Sequence, residues 1–234
     1  MEQIVGKSLS SEAFERVVEA IISGKFEPGQ KISEADLARR LGISRGPVRE
    51  ALHRLEGRLV SRMPRIGVRV IDFGARELRQ LFYLREAMEG MAARLAAEFA
   101  TDALIAELEV MLERHATEIA RSGQIAYQQP TQDEDFHFAI ARASQCENIE
   151  KLLLSEVYYQ LRIHRLRSSK QPGRAKQALE EHFDILHELK RRNPEGAEAA
   201  MRAHVRAAWQ SSLAAVSLNR SEEQERDSDV TCTE

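Results

Sequence analysis

The chain has 234 residues, 43% of them hydrophobic and 30% charged, with only 12 Gly and 6 Pro. That composition excludes collagen-like and wholly disordered chains and suits one large or two modest globular domains. No apolar run approaches the roughly 18 residues that cross a bilayer, and Met1-Glu2-Gln3 lacks the basic-then-apolar profile expected of a signal peptide. The two cysteines, Cys146 and Cys232, make neither a disulfide framework nor a C-x-x-C zinc motif. A soluble cytoplasmic protein is expected. The formal net charge is −3, unevenly spread. Residues 1–72 carry 13 Lys and Arg against 10 Asp and Glu, and residues 37–71 carry nine Arg against only Glu50 and Glu56. A basic patch that dense on an acidic chain is either a solvated face or the footprint of a phosphate-bearing partner.

In chain order, three short helical segments precede residue 60. Ser33 is an N-cap with Asp36 three residues on, Leu37 and Leu41 share one face, and Gly42 makes a tight turn. Ile43 packs beneath that turn, Ser44 caps the next helix, and Pro47 sits in its first turn, where a missing N–H costs nothing. The order of short helix, glycine turn and Ser-capped second helix is that of a helix-turn-helix. Leu59 to Arg62, a Pro64/Gly67 turn and Val68 to Ile71 then read as a hairpin, with Gly67 at its tip. From residue 76 the pattern is helical, with Leu78, Leu81, Phe82, Met88, Leu95 and Phe99 on one stripe. Further helices are expected at 103–121, 131–144, 149–168, 175–192 and 195–219, and the polar tail 221–234 is expected to be disordered.

On the second helix of the pair, Val48, Ala51, Leu52 and Leu55 form the core side, while Arg45 and Arg49 stand four apart near its N-terminal end. A recognition helix pushes that end into a major groove, and an arginine fork matches guanine O6 and N7. The alternative is a local pair between Arg45 and Glu50 or Glu56. Arg39, Arg40, Arg54, Arg62 and Arg65 suit phosphates, which position a reader without specifying sequence.

In the second half, His182 is followed by Phe183, Leu186 and Leu189, and His204 is flanked by Met201, Val205 and Ala208, so both point inward. Asp133 and His137 are spaced i, i+4 on one expected helix. Three His and one Asp suit Zn²⁺, Ni²⁺ or Mn²⁺; taken singly, each His reads more readily as an ordinary half-buried residue than as a ligand.

The string Glu34 to Arg54, and within it Ser44-Arg45-x-Pro47-Val48-Arg49-Glu50-Ala51-Leu52, resembles the winged helix of the GntR family of bacterial transcription regulators. The chain after residue 76 resembles the helical FCD sensor domain of the FadR subfamily, through Asp133-x-x-Phe136-His137, Glu181-His182-x-x-Ile185 and Met201-x-x-His204-Val205. The resemblance implies a mainly α protein: a winged helix-turn-helix over 1–72 and an antiparallel all-α bundle over 73–220, which also dimerises. It implies base contacts from Arg45 and Arg49 beside Ser44, a wing tip at Gly67 in the minor groove, and metal ligation by Asp133, His137, His182 and His204. It further implies a small carboxylate effector on the open metal positions, with Arg85 facing it; Arg162, Arg165 and Cys146 are lesser candidates. Three departures stand out. Ala35 replaces an Arg found in some members, the turn Leu55 to Val60 is one residue shorter than in most, and Gln145-Cys146 stands where Gly-Asn is common. The expected function is a homodimeric regulator, a repressor on the family's base rate and not an enzyme, that reads an inverted-repeat operator under control of a carboxylate. The competing readings are a metal-dependent hydrolase and a DNA-binding protein whose metal is purely structural.

Overall fold

The computed structural model describes residues 8–72, 74–121, 135–157, 159–160 and 173–230, without the side chains of residues 75, 156 and 214–230. Two compact units result, Met1–Gly74 and Ala75–Glu234.

The first unit opens with α1, Leu9–Ile22, capped by the Ser8 hydroxyl accepting from the Ser11 amide. Its buried face, Ala13, Phe14, Val17, Val18 and Ile21, repeats at helical spacing and packs on α3, Arg45–Arg54. Between them lies α2, Glu34–Leu41. The Ser33 hydroxyl accepts from the Asp36 amide at 3.3 Å, and Gly42 ends the helix in the left-handed region at φ 67°. Ser44 occupies the cap position of α3 in extended geometry, but its side chain makes no capping hydrogen bond. Strands β2, Val60–Met63, and β3, Gly67–Val70, form the expected hairpin, with Val60 opposite Val70 and Met63 opposite Gly67. A third strand not foreseen from sequence, β1 Lys31–Ile32, pairs with β3, giving the antiparallel order β1-β3-β2. Two residues are too short a run to show an alternating pattern. The shortened turn into the wing closes on Gly57, whose φ of 77° lets its amide reach the Val60 carbonyl at 2.9 Å.

The second unit is helical. It comprises α4 Ala75–Phe99, α5 Asp102–Arg121, α6 Phe136–Ala143, α7 Glu147–Lys151 running into a π-helical turn Leu152–Glu156, α8 Arg174–Lys190 and α9 Pro194–Val230. Helix α9 packs along α4 and α8, while α6 lies against α4. Leu78, Leu81, Phe82, Leu108, Leu112, Phe136, Ile140, Ile185, Leu189 and Met201 are among the core residues. Phe99, placed on the apolar stripe from sequence, is 51% exposed at the end of α4.

Three expectations are corrected. Helix α6 begins at Phe136, not 131: Asp135 is extended (φ −91°, ψ 114°) and its carboxylate accepts from the His137 and Phe138 amides at 3.0 and 3.3 Å. Those are donors a helix start leaves orphaned, so the carboxylate ends the need for earlier turns. The helix expected over 149–168 starts at Glu147 and widens into the π turn at Leu152; residues 161–172 lie outside the described residues. The tail expected to be disordered is helical through Val230. Ser221 to Val230 holds neither Gly nor Pro, and Glu222, Glu223, Gln224, Glu225 and Arg226 are good helix formers, so nothing stops α9.

At the α6–α7 junction Gln145 takes φ 54°, the left-handed region where a glycine is easiest. Its side-chain amide donates to the Phe99 carbonyl at 2.9 Å, which offsets the strain. Cys146 follows, half-buried and packed against the helical core.

Candidate functional site

Two groups of functional side chains emerge, one in each unit. On α3, Val48, Ala51 and Leu52 are fully buried against α1, which turns Arg45 and Arg49 outward. Arg49 Nε lies 3.1 Å from Glu34 Oε2, and Arg62 Nη1 lies 3.4 Å from Glu34 Oε1, so one carboxylate ties the reader helix to the wing. Arg45 is exposed. Arg39 and Arg40 both pair with Asp36 on the exposed side of α2. Arg54 lies over the Phe14 ring, 4.2 Å from its centroid. The wing turn is Pro64 to Ile66, with Arg65 at φ 64°; Gly67 (φ 100°) is the first residue of β3 rather than the tip itself. A groove between β1, the start of α2 and the wing is lined by Lys31, Ser33, Glu34, Arg62, Arg65 and Gly67.

In the helical unit, α6, α8 and α9 bring His137, His182 and His204 together, exposed by only 3%, 1% and 4%. One ring nitrogen from each lies within 4.8 Å of the other two. His137 Nε2 and His182 Nε2 are 3.2 Å apart. The His204 ring centroid lies 4.9 Å from that of His137 and 4.6 Å from that of His182. Phe136 stacks on His182 at 4.5 Å and walls one side.

Two carboxylates that sequence reasoning missed hold two of these rings. Glu89 on α4 accepts from His137 Nδ1 at 2.7 Å, and Glu181 on α8 accepts from His204 Nδ1 at 2.6 Å. Each carboxylate is in turn held by a buried arginine. Arg85 Nε and Nη2 donate to Glu89 at 2.7 and 3.2 Å, and Arg174 Nη2 donates to Glu181 at 2.9 Å. Burial works to raise the Glu89 carboxyl, but the Arg85 charge and then His137 outweigh it and hold it well below the usual carboxylate range. Glu181 follows the same balance: burial opposes, and hydrogen bonds from His204 and Arg174 prevail, lowering it. Burial lowers His204, against the pull of Glu181, so its imidazole stays neutral.

Arg85, expected to face an effector, is 2% exposed, committed to Glu89 and laid over the Phe82 ring at 4.9 Å. Asp133, Arg162 and Arg165 lie outside the described residues. Glu89 had a faint trace in the sequence, four residues after Arg85 on the stripe that bears Leu78, Leu81 and Phe82; Glu181, one of three Glu on α8, stood in a quoted motif only as the neighbour of His182.

Three imidazoles, two of them with their far nitrogens engaged by carboxylates, are a donor set that fits a borderline divalent ion. Comparison with known proteins matches a family model to each half of the chain. The family model for bacterial regulatory proteins of the gntR family matches residues 9–70, and the FCD domain model matches residues 80–207, more than half of the chain. The chain belongs to the gntR family of regulators that carry an FCD domain.

The two matches fall one in each compact unit. Among relatives, the HTH-type regulator YdhC of Bacillus subtilis is 28% identical over 82% of this chain and 85% of its own length. The Nta operon regulator of Aminobacter aminovorans is 39% identical over 57% of this chain and 63% of its own. The repressor RspR of Escherichia coli is 28% identical over 79% of this chain and 80% of its own. Among solved structures, Escherichia coli McbR/YncC superposes with TM-score 0.68 and 25% identity over 92% of this chain and all of that one. A GntR regulator from Rhodococcus gives 0.64 and 26%, over 88% and 97%. This gntR-family chain is therefore a DNA-binding transcriptional regulator, not an enzyme. Among the described residues no helix is long and apolar enough to cross a membrane.

Proposed function

We propose that this regulator is a cytoplasmic repressor whose operator affinity is set by a small carboxylate bound at a divalent metal ion in the helical unit. The observation that carries this reading is the buried His137, His182, His204 cluster with its nitrogens converging. Asp133 would complete the ligand set, and Zn²⁺, Ni²⁺ and Mn²⁺ all accept such donors. Electrostatics supports an anionic ligand. Arg85 with Glu89, and Arg174 with Glu181, cancel in pairs. A divalent ion there leaves buried positive charge that Asp133 and a carboxylate together would balance. When bound, the ion supplies the fixed charge that holds the carboxylate. Arg85 contributes through Glu89 rather than by touching the ligand, and Cys146 contributes packing.

The winged helix, residues 1–72, would read DNA with Arg45 and Arg49 at base edges near Ser44. Arg39, Arg40 and Arg65 would lie on phosphates, and Gly67 would let the wing approach the minor groove. Residues 73–220 would bind the effector and pair two copies, so that two readers face an inverted repeat. Repression is supported by relatives named as repressors, among them RspR and the gluconate operon repressor of Bacillus licheniformis. Neither a hydrolase nor a purely structural metal is favoured by any observation.

The test has three readings on one preparation: metal content after dialysis, thermal midpoint across a panel of small carboxylates, and operator affinity with and without each hit. A metal-loaded protein stabilised by one acid, with operator affinity changed five-fold or more, supports the reading. A metal-loaded protein whose operator affinity no acid changes leaves the metal structural and overturns it.

A further inference from the structure

The histidine cluster is framed by two chains of the same composition. Arg85 donates to Glu89, which accepts from His137 Nδ1; Arg174 donates to Glu181, which accepts from His204 Nδ1. All but Glu181, at 19%, are exposed by 5% or less. A carboxylate gripped by a guanidinium is ionised and has no proton to give. The hydrogen in each histidine contact therefore belongs to Nδ1. A neutral ring with its hydrogen on Nδ1 presents a lone pair on Nε2, which for His137 is the atom 3.2 Å from His182 Nε2.

A buried arginine–glutamate pair is a poor stability device, since well-packed apolar residues of similar volume do as well. Stability alone thus gives no reason for two such pairs, each ending on a clustered histidine. We propose that Glu89 and Glu181 are positioning residues that lock His137 and His204 with Nε2 toward the ion, and that Arg85 and Arg174 act by holding those carboxylates. The proposal rests on the metal reading above and adds four residues to it. It also reassigns Arg85 from effector contact to ligand alignment. Glu89 reaches His137 from 48 positions away and from another helix, so it fixes α6 against α4 as well as the ring.

Two measurements test this. In metal-free wild type, long-range ¹H–¹⁵N correlation of the histidine rings should show His137 and His204 with hydrogen on Nδ1. Zn²⁺ affinity, read by competition with a chromophoric chelator, should fall about 10- to 100-fold in Glu89→Gln and in Glu181→Gln. Gln keeps the size of the side chain but can turn its NH₂ toward Nδ1, and neighbouring Glu180→Gln, an exposed side chain paired with Lys176, should change nothing. Wild-type spectra with hydrogen on Nε2 of either ring overturn the proposal whether or not the variants fold. Glu89→Gln and Glu181→Gln within two-fold of wild type, while His182→Ala loses Zn²⁺, overturn it and leave the metal reading intact. A wild type that takes up no Zn²⁺, Ni²⁺ or Mn²⁺ removes both.

Discussion

Replacing Arg49 by Ala separates reading from holding on the DNA-facing surface. Its side chain is 66% exposed and its Nε lies 3.1 Å from a Glu34 carboxylate oxygen. An exposed pair of that kind contributes about 0–1 kcal/mol, so Arg49→Ala should leave folding stability nearly unchanged. On DNA the fork of an arginine paired with guanine is worth about 1–3 kcal/mol. Part of that is spent in releasing Glu34, which leaves a net loss of about 1–2 kcal/mol, or roughly 5- to 30-fold per half-site. A two-fold symmetric dimer on an inverted repeat compounds this to roughly 30- to 900-fold. The assay is fluorescence anisotropy on an operator duplex obtained by selection and on a scrambled duplex, at one fixed salt concentration. Only the operator should weaken. Arg39→Ala and Arg40→Ala should instead weaken both duplexes alike and lower the slope of log affinity against log salt by about 0.9 for each phosphate that is no longer neutralised. Equal weakening on the two duplexes for Arg49→Ala would refute the assignment of Arg49 to a base.

Removing Glu89 with Glu89→Ala strands Arg85, itself 2% exposed, and should cost about 3–5 kcal/mol in the metal-free protein. Urea unfolding followed at Trp209, the single tryptophan, whose ring lies 5.3 Å from Phe82 on α4, measures it; a loss below about 1 kcal/mol contradicts the buried pair. Leu52→Ala empties a site of zero exposure under α3 and should cost about 2–5 kcal/mol, seen as loss of operator binding at a lower temperature than wild type. Gly42→Ala meets no atom within 4 Å, so its whole effect is the left-handed backbone at φ 67°, about 1–2 kcal/mol by thermal unfolding of the DNA-binding unit. Zn²⁺ at about a hundred times its dissociation constant should add about 2.7 kcal/mol to the stability of wild type, and a chelator should reverse it. His182→Ala should show neither response.

Where the determinants of an element lie within a few consecutive residues, they were legible. The reader helix is the best case: Ser33, Gly42, Pro47 and the apolar positions Val48, Ala51 and Leu52 all act within one turn or two of the place they shape. The bundle helices were legible for the same reason, to within a few residues except at α6, over 149–168 and at the end of α9. The three histidines stood out because a titratable ring flanked by apolar residues at helical spacing is unusual. Their partners did not stand out. Glu89 and Glu181 sit in helices crowded with Glu, and a carboxylate on a surface face has the same letter as one inside.

By itself, then, the chain determined its local elements, the outward arginines of α3 and the choice of ring nitrogens as candidate ligands, because capping, glycine geometry and helical period act over short separations. Only the tertiary structure decided that Arg85 answers to Glu89, that β1 completes the wing sheet, and that His137, His182 and His204 meet. Those pairings join residues tens of positions apart, and burial, which turns an ordinary ion pair into a rigid frame, exists only after the helices have packed.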